Sequence, residues 1–164
     1  MIHHLKYDGF SALAAEMALV VARCVSRPAD GVLVPIPLSA KRLRWRGYNQ
    51  AAALAGALRS LWSRPVHQRL LSRSGDARSQ TSLSPQERRV NVRDVFKAAP
   101  CQSREGNRQP AVILVDDVLT TGATLAAAAE ALQDAGWHEI GAVTFARAMP
   151  FVIRAATERR SLAR

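Results

Sequence analysis

Residues 112–117 constrain this chain more than any other stretch. Four apolar residues, Val112 to Val115, run directly into two aspartates, Asp116 and Asp117. A short, unbroken apolar run suits a strand buried on both faces. A turn of small and hydroxylated residues follows, Thr120-Thr121-Gly122-Ala123-Thr124. Leu125, Ala128, Ala129 and Leu132 then recur at helical spacing. The order is strand, acidic pair, small-residue turn, helix. It suits an anion held at a helix N-terminus, where free backbone N–H groups and the helix dipole favour negative charge. It also puts the carboxylates at a strand's carboxyl end, where open α/β sheets place their ligands.

The remaining pattern agrees with that class. Residues 10–25 read as a helix with Leu13, Met17, Val20, Val21 and Cys24 on one face. Val32 to Ile36 reads as a strand closed by prolines, and Leu38 to Tyr48 as a basic loop. Asn49 is an N-cap candidate for a helix to about Leu61, with Leu54, Leu58 and Leu61 on one side. Val66–Leu71 and Val95–Ala98 read as short strands, with a long polar loop from Ser72 to Leu83 between them. Ser84-Pro85-Gln86-Glu87 matches a capping box with Pro at the first helical position. Gly136 fits the position just past a helix end, and Ile140–Ala146 reads as a further strand. Alternating strands and helices predict a Rossmann-like parallel sheet flanked by helices on both faces. The length suits one domain, here residues 1–150, followed by a basic tail, 151–164, that frays.

Charge is distributed unevenly. Between Leu38 and Pro110 there are 15 Lys+Arg against 4 Asp+Glu, which leaves 8 against 9 elsewhere. The whole basic excess therefore lies in the middle segment. Such a segment attracts a phosphorylated small molecule or a nucleic acid, and a solvated arginine-rich surface gives the same count. No apolar run reaches the roughly 18 residues of a membrane span, so no membrane insertion is expected. Ser11–Val25 is broken by Glu16 and Arg23 and lacks a cleavage site, so a cytoplasmic location is expected. Cys24 and Cys101 form no metal-type cluster and read as thiols in a reducing compartment.

Carboxylates at a strand end can accept hydrogen bonds from sugar hydroxyls, or hold Mg²⁺ directly or through water. The Thr-Thr-Gly turn supplies donors for one phosphate. A sugar between the two groups satisfies both, so a phosphorylated ribose fits better than a bare phosphate. Neither a Gly-Lys-Ser/Thr phosphate loop nor a G-x-G-x-x-G fingerprint is present. Adjacent aspartates are usually a solvated pair, but here a buried strand precedes them and a phosphate-type turn follows.

Val112 to Thr124 resembles the phosphoribosyl pyrophosphate (PRPP) motif of type I phosphoribosyltransferases. Val34-Pro35-Ile36-Pro37-Leu38, Arg42-Leu43-Arg44 and Arg46-Gly47-Tyr48-Asn49-Gln50 are similar to the ComF (GntX-like) branch of that family. So are Leu5-Lys6-Tyr7, Gln80-Thr81 with Leu83, and Arg88-Arg89 with Asn91. Members of that branch commonly begin with a four-cysteine zinc segment. This sequence opens at Met1, just before Leu5-Lys6-Tyr7, without those cysteines.

The resemblance implies a type I phosphoribosyltransferase fold and a set of roles. Asp116 and Asp117 would bind the ribose 2′- and 3′-hydroxyls and help place Mg²⁺. Thr120, Thr121, Gly122, Ala123 and Thr124 would cradle the 5′-phosphate. Leu38, Ser39 and Ala40 would form the pyrophosphate loop, with Lys41, Arg42 and Arg46 neutralising the diphosphate. Ser72–Leu83 would be the flexible catalytic loop, with Arg78 and Gln80 its first residues to test. The implied reaction transfers 5-phosphoribosyl to an acceptor that the sequence does not identify, releasing pyrophosphate, with a link to DNA uptake.

Two other readings stay open. The chain could be a PRPP- or single-stranded-DNA-binding module without transferase chemistry, with Trp45 and Tyr48 as stacking surfaces. It could also be a structural partner of DNA-uptake proteins.

Overall fold

The computed structural model describes residues 2–73, 95–101 and 109–148, with side chains described from residue 12 onward. Among these described residues, the central sheet has three parallel strands in the order β1–β4–β5: β1 is Val32–Pro35, β4 is Val112–Leu119 and β5 is Ile140–Arg147. Val32 pairs with Val112, and Val112 in turn with Ile140. A separate antiparallel ribbon joins β2, Leu71–Arg73, to β3, Phe96–Ala98. The helices are α1 (Ile2–Cys24), α2 (Ala40–Arg46), α3 (Gln50–Trp62) and α4 (Ala123–Asp134).

The apolar run at 112–115 is continuous because both faces of β4 are covered. Strand alternation sends Val112 and Leu114, with Val32 and Val34 of β1, into a core shared with Ala127, Ala128 and Leu132 of α4 and with the ribbon. Ile113, Val115 and Leu33 point the other way, onto Ala18 and Val21 of α1 and Leu54, Ala55, Leu58 and Trp62 of α3. The expected parallel α/β sheet with helices on both faces is present among the described residues.

Local chemistry sets the helix ends. Asn49 caps α3 by accepting from the Ala51 and Ala52 N–H groups, as its type predicts. After α4, Gly136 takes a left-handed φ of 89°. Its N–H donates to the Gln133 carbonyl, and that of Trp137 donates to Leu132. This paired closure ends a helix without orphaned carbonyls.

Several expectations are corrected. Leu38–Tyr48 is not a loop: Ser39 accepts from the Arg42 N–H, Gly47 closes the helix at φ 81°, and the Lys, Arg and Leu residues between are good helix formers. On α1 the buried stripe is Ala14, Ala18 and Val21, while Leu13, Val20 and Cys24 are exposed. Small side chains face α3 there. On α3, Trp62 is buried and Leu61 is exposed. Val66 makes only a single parallel bridge to Leu33, and the second strand starts at Leu71, so Ser72 and Arg73 belong to β2 rather than to a loop. The antiparallel ribbon also lies outside the parallel sheet. The rest of the Ser72–Leu83 segment, the capping box at 84–87 and the tail 151–164 lie outside the described residues.

Candidate functional site

β4 runs four residues further than its apolar core. β1 ends at Pro35, opposite Val115, whereas β5 continues to pair with β4 as far as Leu119 and Arg147. The Ile36 N–H still donates to Val115, and Pro37 has no N–H to extend the ladder. Asp116 and Asp117 therefore lie in the carboxyl-terminal half of β4, over the step where β1 has stopped. That step opens into a cleft of about 310 Å³.

Six parts of the chain meet there. β4 contributes Asp116, Asp117 and Val118; α4 contributes Thr124 from its first turn. The segment after β1 contributes Leu38, and α2 contributes Arg42 and Arg46. These two arginines are four residues apart and so share one helix face. The start of α3 contributes Asn49 and Gln50, and the ribbon contributes Arg73.

The acidic pair is ordered by its own backbone. The Asp117 N–H donates to the Asp116 carboxylate at 2.9 Å, and the Val118 N–H donates to the Asp117 carboxylate at 2.8 Å. Burial pushes the Asp116 carboxyl up to about 6. The bond from the Asp117 N–H opposes that rise, and the neighbouring Asp117 charge adds to it. The pair offers oxygen ligands only, which suits a hard cation that keeps most of its waters. Asp116 and Asp117 would hold a Mg²⁺ ion in that manner.

At the start of α4, Gly122 is the N-cap, at φ 80°, without a side-chain capping bond. Thr121 Oγ1 accepts from the Ala123 N–H at 3.4 Å. The first N–H groups of a helix have no intrahelical partner, so this end can receive an anion.

The structure brings together Asp116, Asp117, Thr124, Leu38, Arg42 and Arg46 from the residues singled out in the sequence. Thr120, Thr121, Gly122 and Ala123 form the turn and helix start beside the cleft without lining it. Ser39 is 3% exposed and caps α2; Ala40 begins that helix, and Lys41 is exposed outside the cleft lining. Arg78 and Gln80 lie outside the described residues. The sequence reading missed Gln50, Val118 and Arg73 as lining residues and Asn49's tie across to β1. Gln50 was already part of the quoted Arg46–Gln50 motif; Arg73 was hidden in a segment read as loop.

The model of the phosphoribosyl transferase domain matches residues 69–152, just over half of the chain. Competence protein F of Haemophilus influenzae is 35% identical over 116 residues, covering 71% of this chain and 50% of that protein. Competence protein ComFC of Bacillus subtilis is 39% identical over 105 residues, covering 64% and 39% respectively. The DNA utilization protein YhgH of Escherichia coli K12 is 30% identical over 144 residues, covering 80% and 59%. The chain belongs to the phosphoribosyl transferase domain family and, within it, is a ComF-like member. It spans about half the length of the curated relatives it matches. No helix among the described residues is long and apolar enough to cross a membrane.

Proposed function

We propose that this chain binds PRPP with Mg²⁺ and transfers its 5-phosphoribosyl group to an acceptor, releasing pyrophosphate. The observation that carries the reading is the convergence of Asp116, Asp117, Thr124, Arg42 and Arg46 on one cleft. The ribose 2′- and 3′-hydroxyls donate to Asp116 and Asp117. The 5′-phosphate lies at the start of α4, against the Thr120–Thr124 turn. The diphosphate lies toward Arg42 and Arg46. An acceptor lone pair forms the new bond to C1′ as the bond from C1′ to the diphosphate oxygen breaks, and the acceptor's proton leaves to solvent. Positive charge grows on the ribose ring, near the two carboxylates, and negative charge grows on the leaving group, near the arginines. Bound Mg²⁺ supplies further neutralisation of the diphosphate. No protein nucleophile is needed.

The relatives' names carry competence and DNA utilization, so the proposal extends to a role linked to DNA uptake. A screen for pyrophosphate release from PRPP across candidate acceptors, oligonucleotides included, tests the transferase reading. Release that depends on one acceptor class supports it; none with any acceptor leaves a binding module.

One observation favours a second reading, in which α2 also docks single-stranded nucleic acid. Trp45 is 82% exposed on a helix that carries Lys41, Arg42, Arg44 and Arg46. An exposed aromatic ring among cations suits base stacking beside phosphate contacts. Binding that weakens steeply with salt supports this reading, and no binding even at low salt removes it.

A further inference from the structure

Arg73 is the ribbon's contribution to the cleft, and its setting differs from that of the α2 arginines. Arg42 and Arg46 sit on a short helix with no buried residue. Arg73 is half-buried and stands directly opposite Phe96 in the antiparallel register. Its guanidinium lies 5.4 Å from the centroid of the Phe96 ring. Phe96 is 4% exposed and belongs to the core on the α4 face. The ring is a fixed platform, and stacking on it restricts a side chain that would otherwise lose rotamer freedom on binding. A cation held in place and partly removed from water attracts an anion more strongly than a solvated one.

The topology indicates which anion. Val66 bridges the outer edge of β1, so the chain enters the ribbon from β1's flank, away from β5. Leu70 and Leu71 then pack into the same core as Ile36 and Ala51. That is the side from which the chain leads into α2, whereas the turn before α4 follows β4. We propose that Arg73 is a ligand of the PRPP diphosphate, closing a three-arginine clamp with Arg42 and Arg46 around the leaving group. The inference rests on the PRPP reading above. A guanidinium fork can donate two hydrogen bonds to a phosphate, which an ammonium group cannot match in geometry.

Calorimetry with Mg²⁺ tests this with two ligands, PRPP and ribose 5-phosphate, which lacks the diphosphate. Arg73→Gln weakens PRPP binding by about tenfold to a hundredfold, the range of a lost charge-assisted contact, and changes ribose 5-phosphate binding by less than about twofold. Arg73→Lys, which keeps the charge, falls between wild type and Arg73→Gln. Equal weakening of both ligands, or unchanged PRPP affinity, overturns the assignment while leaving the PRPP site in place. Failure of the wild type to bind PRPP overturns the parent reading and this one with it.

Discussion

The side-chain amide of Asn49 donates to the main-chain carbonyl of Ile36 at 2.9 Å while its oxygen caps α3. One residue thus fixes the start of α3 to Ile36, the residue just after β1, and both sides of that junction line the cleft. Asn49→Ala removes the cap and the tie, and is expected to cost about 2 kcal/mol. Asn49→Ser keeps a capping oxygen but cannot reach Ile36, so it should cost about half as much. Urea unfolding of the three proteins measures the order, and equal stability of Ser and Ala variants would show the cap to be irrelevant.

Asp116 is held in its ionised form at a cost. Its carboxyl is raised to about 6 from an ordinary 3.8, chiefly by burial. Between those values the folded protein binds more protons than the unfolded chain, so this group's contribution to stability falls as pH rises through about 6. Asp116→Asn keeps an acceptor for the Asp117 N–H and removes the charge. It should therefore be more stable than wild type at pH 7, by about 1 kcal/mol after the discount that partial solvent exposure requires. The difference should close toward pH 4. Thermal unfolding across that range checks both the sign and the trend; a variant less stable at pH 7 contradicts it.

Two glycines with positive φ predict different costs. At Gly31, φ 128°, an added Cβ would stand 2.5 Å from the Ala111 carbonyl oxygen, which already accepts from the Val32 N–H. Backbone cannot yield there without disturbing the β1–β4 start. At Gly122, φ 80°, a Cβ would meet only Leu119 Cδ1, at an ordinary 3.6 Å. Gly122→Ala should cost about 1–2 kcal/mol, from conformation alone. Gly31→Ala should cost more than that, from conformation and a clash together. Denaturant midpoints at equal slope rank the two.

Much of this was legible in the sequence where a residue's local chemistry and its tertiary role coincide. The run Val112–Val115 reads as a buried strand because both of its faces are covered. Asn49 and Gly136 signal the helix ends that they form. The cleft's acidic and basic members, Asp116, Asp117, Arg42 and Arg46, stand out by charge. What escaped depends on pairing and packing between distant segments. The extension of β4 to Leu119 is set by β5, not by the residues of β4. α2 has no apolar stripe, so only its caps, Ser39 and Gly47, betrayed it. α1 carries apolar residues around much of its circumference, and its packing against α3 selected alanines over Leu13 and Val20. Arg73 lines the cleft from a strand whose partner residue, Phe96, lies 23 positions later.

We propose above that the Asp116–Asp117 pair forms a PRPP site. Calorimetric titration of PRPP with Mg²⁺ into wild type and into the Asp116→Asn/Asp117→Asn double variant tests it most directly, with urea unfolding confirming that the variant is folded. Saturable binding by wild type and a loss of at least about tenfold in the variant are expected, since one charge-assisted contact alone is worth that much. Equal binding by both proteins, or none by either, would contradict it.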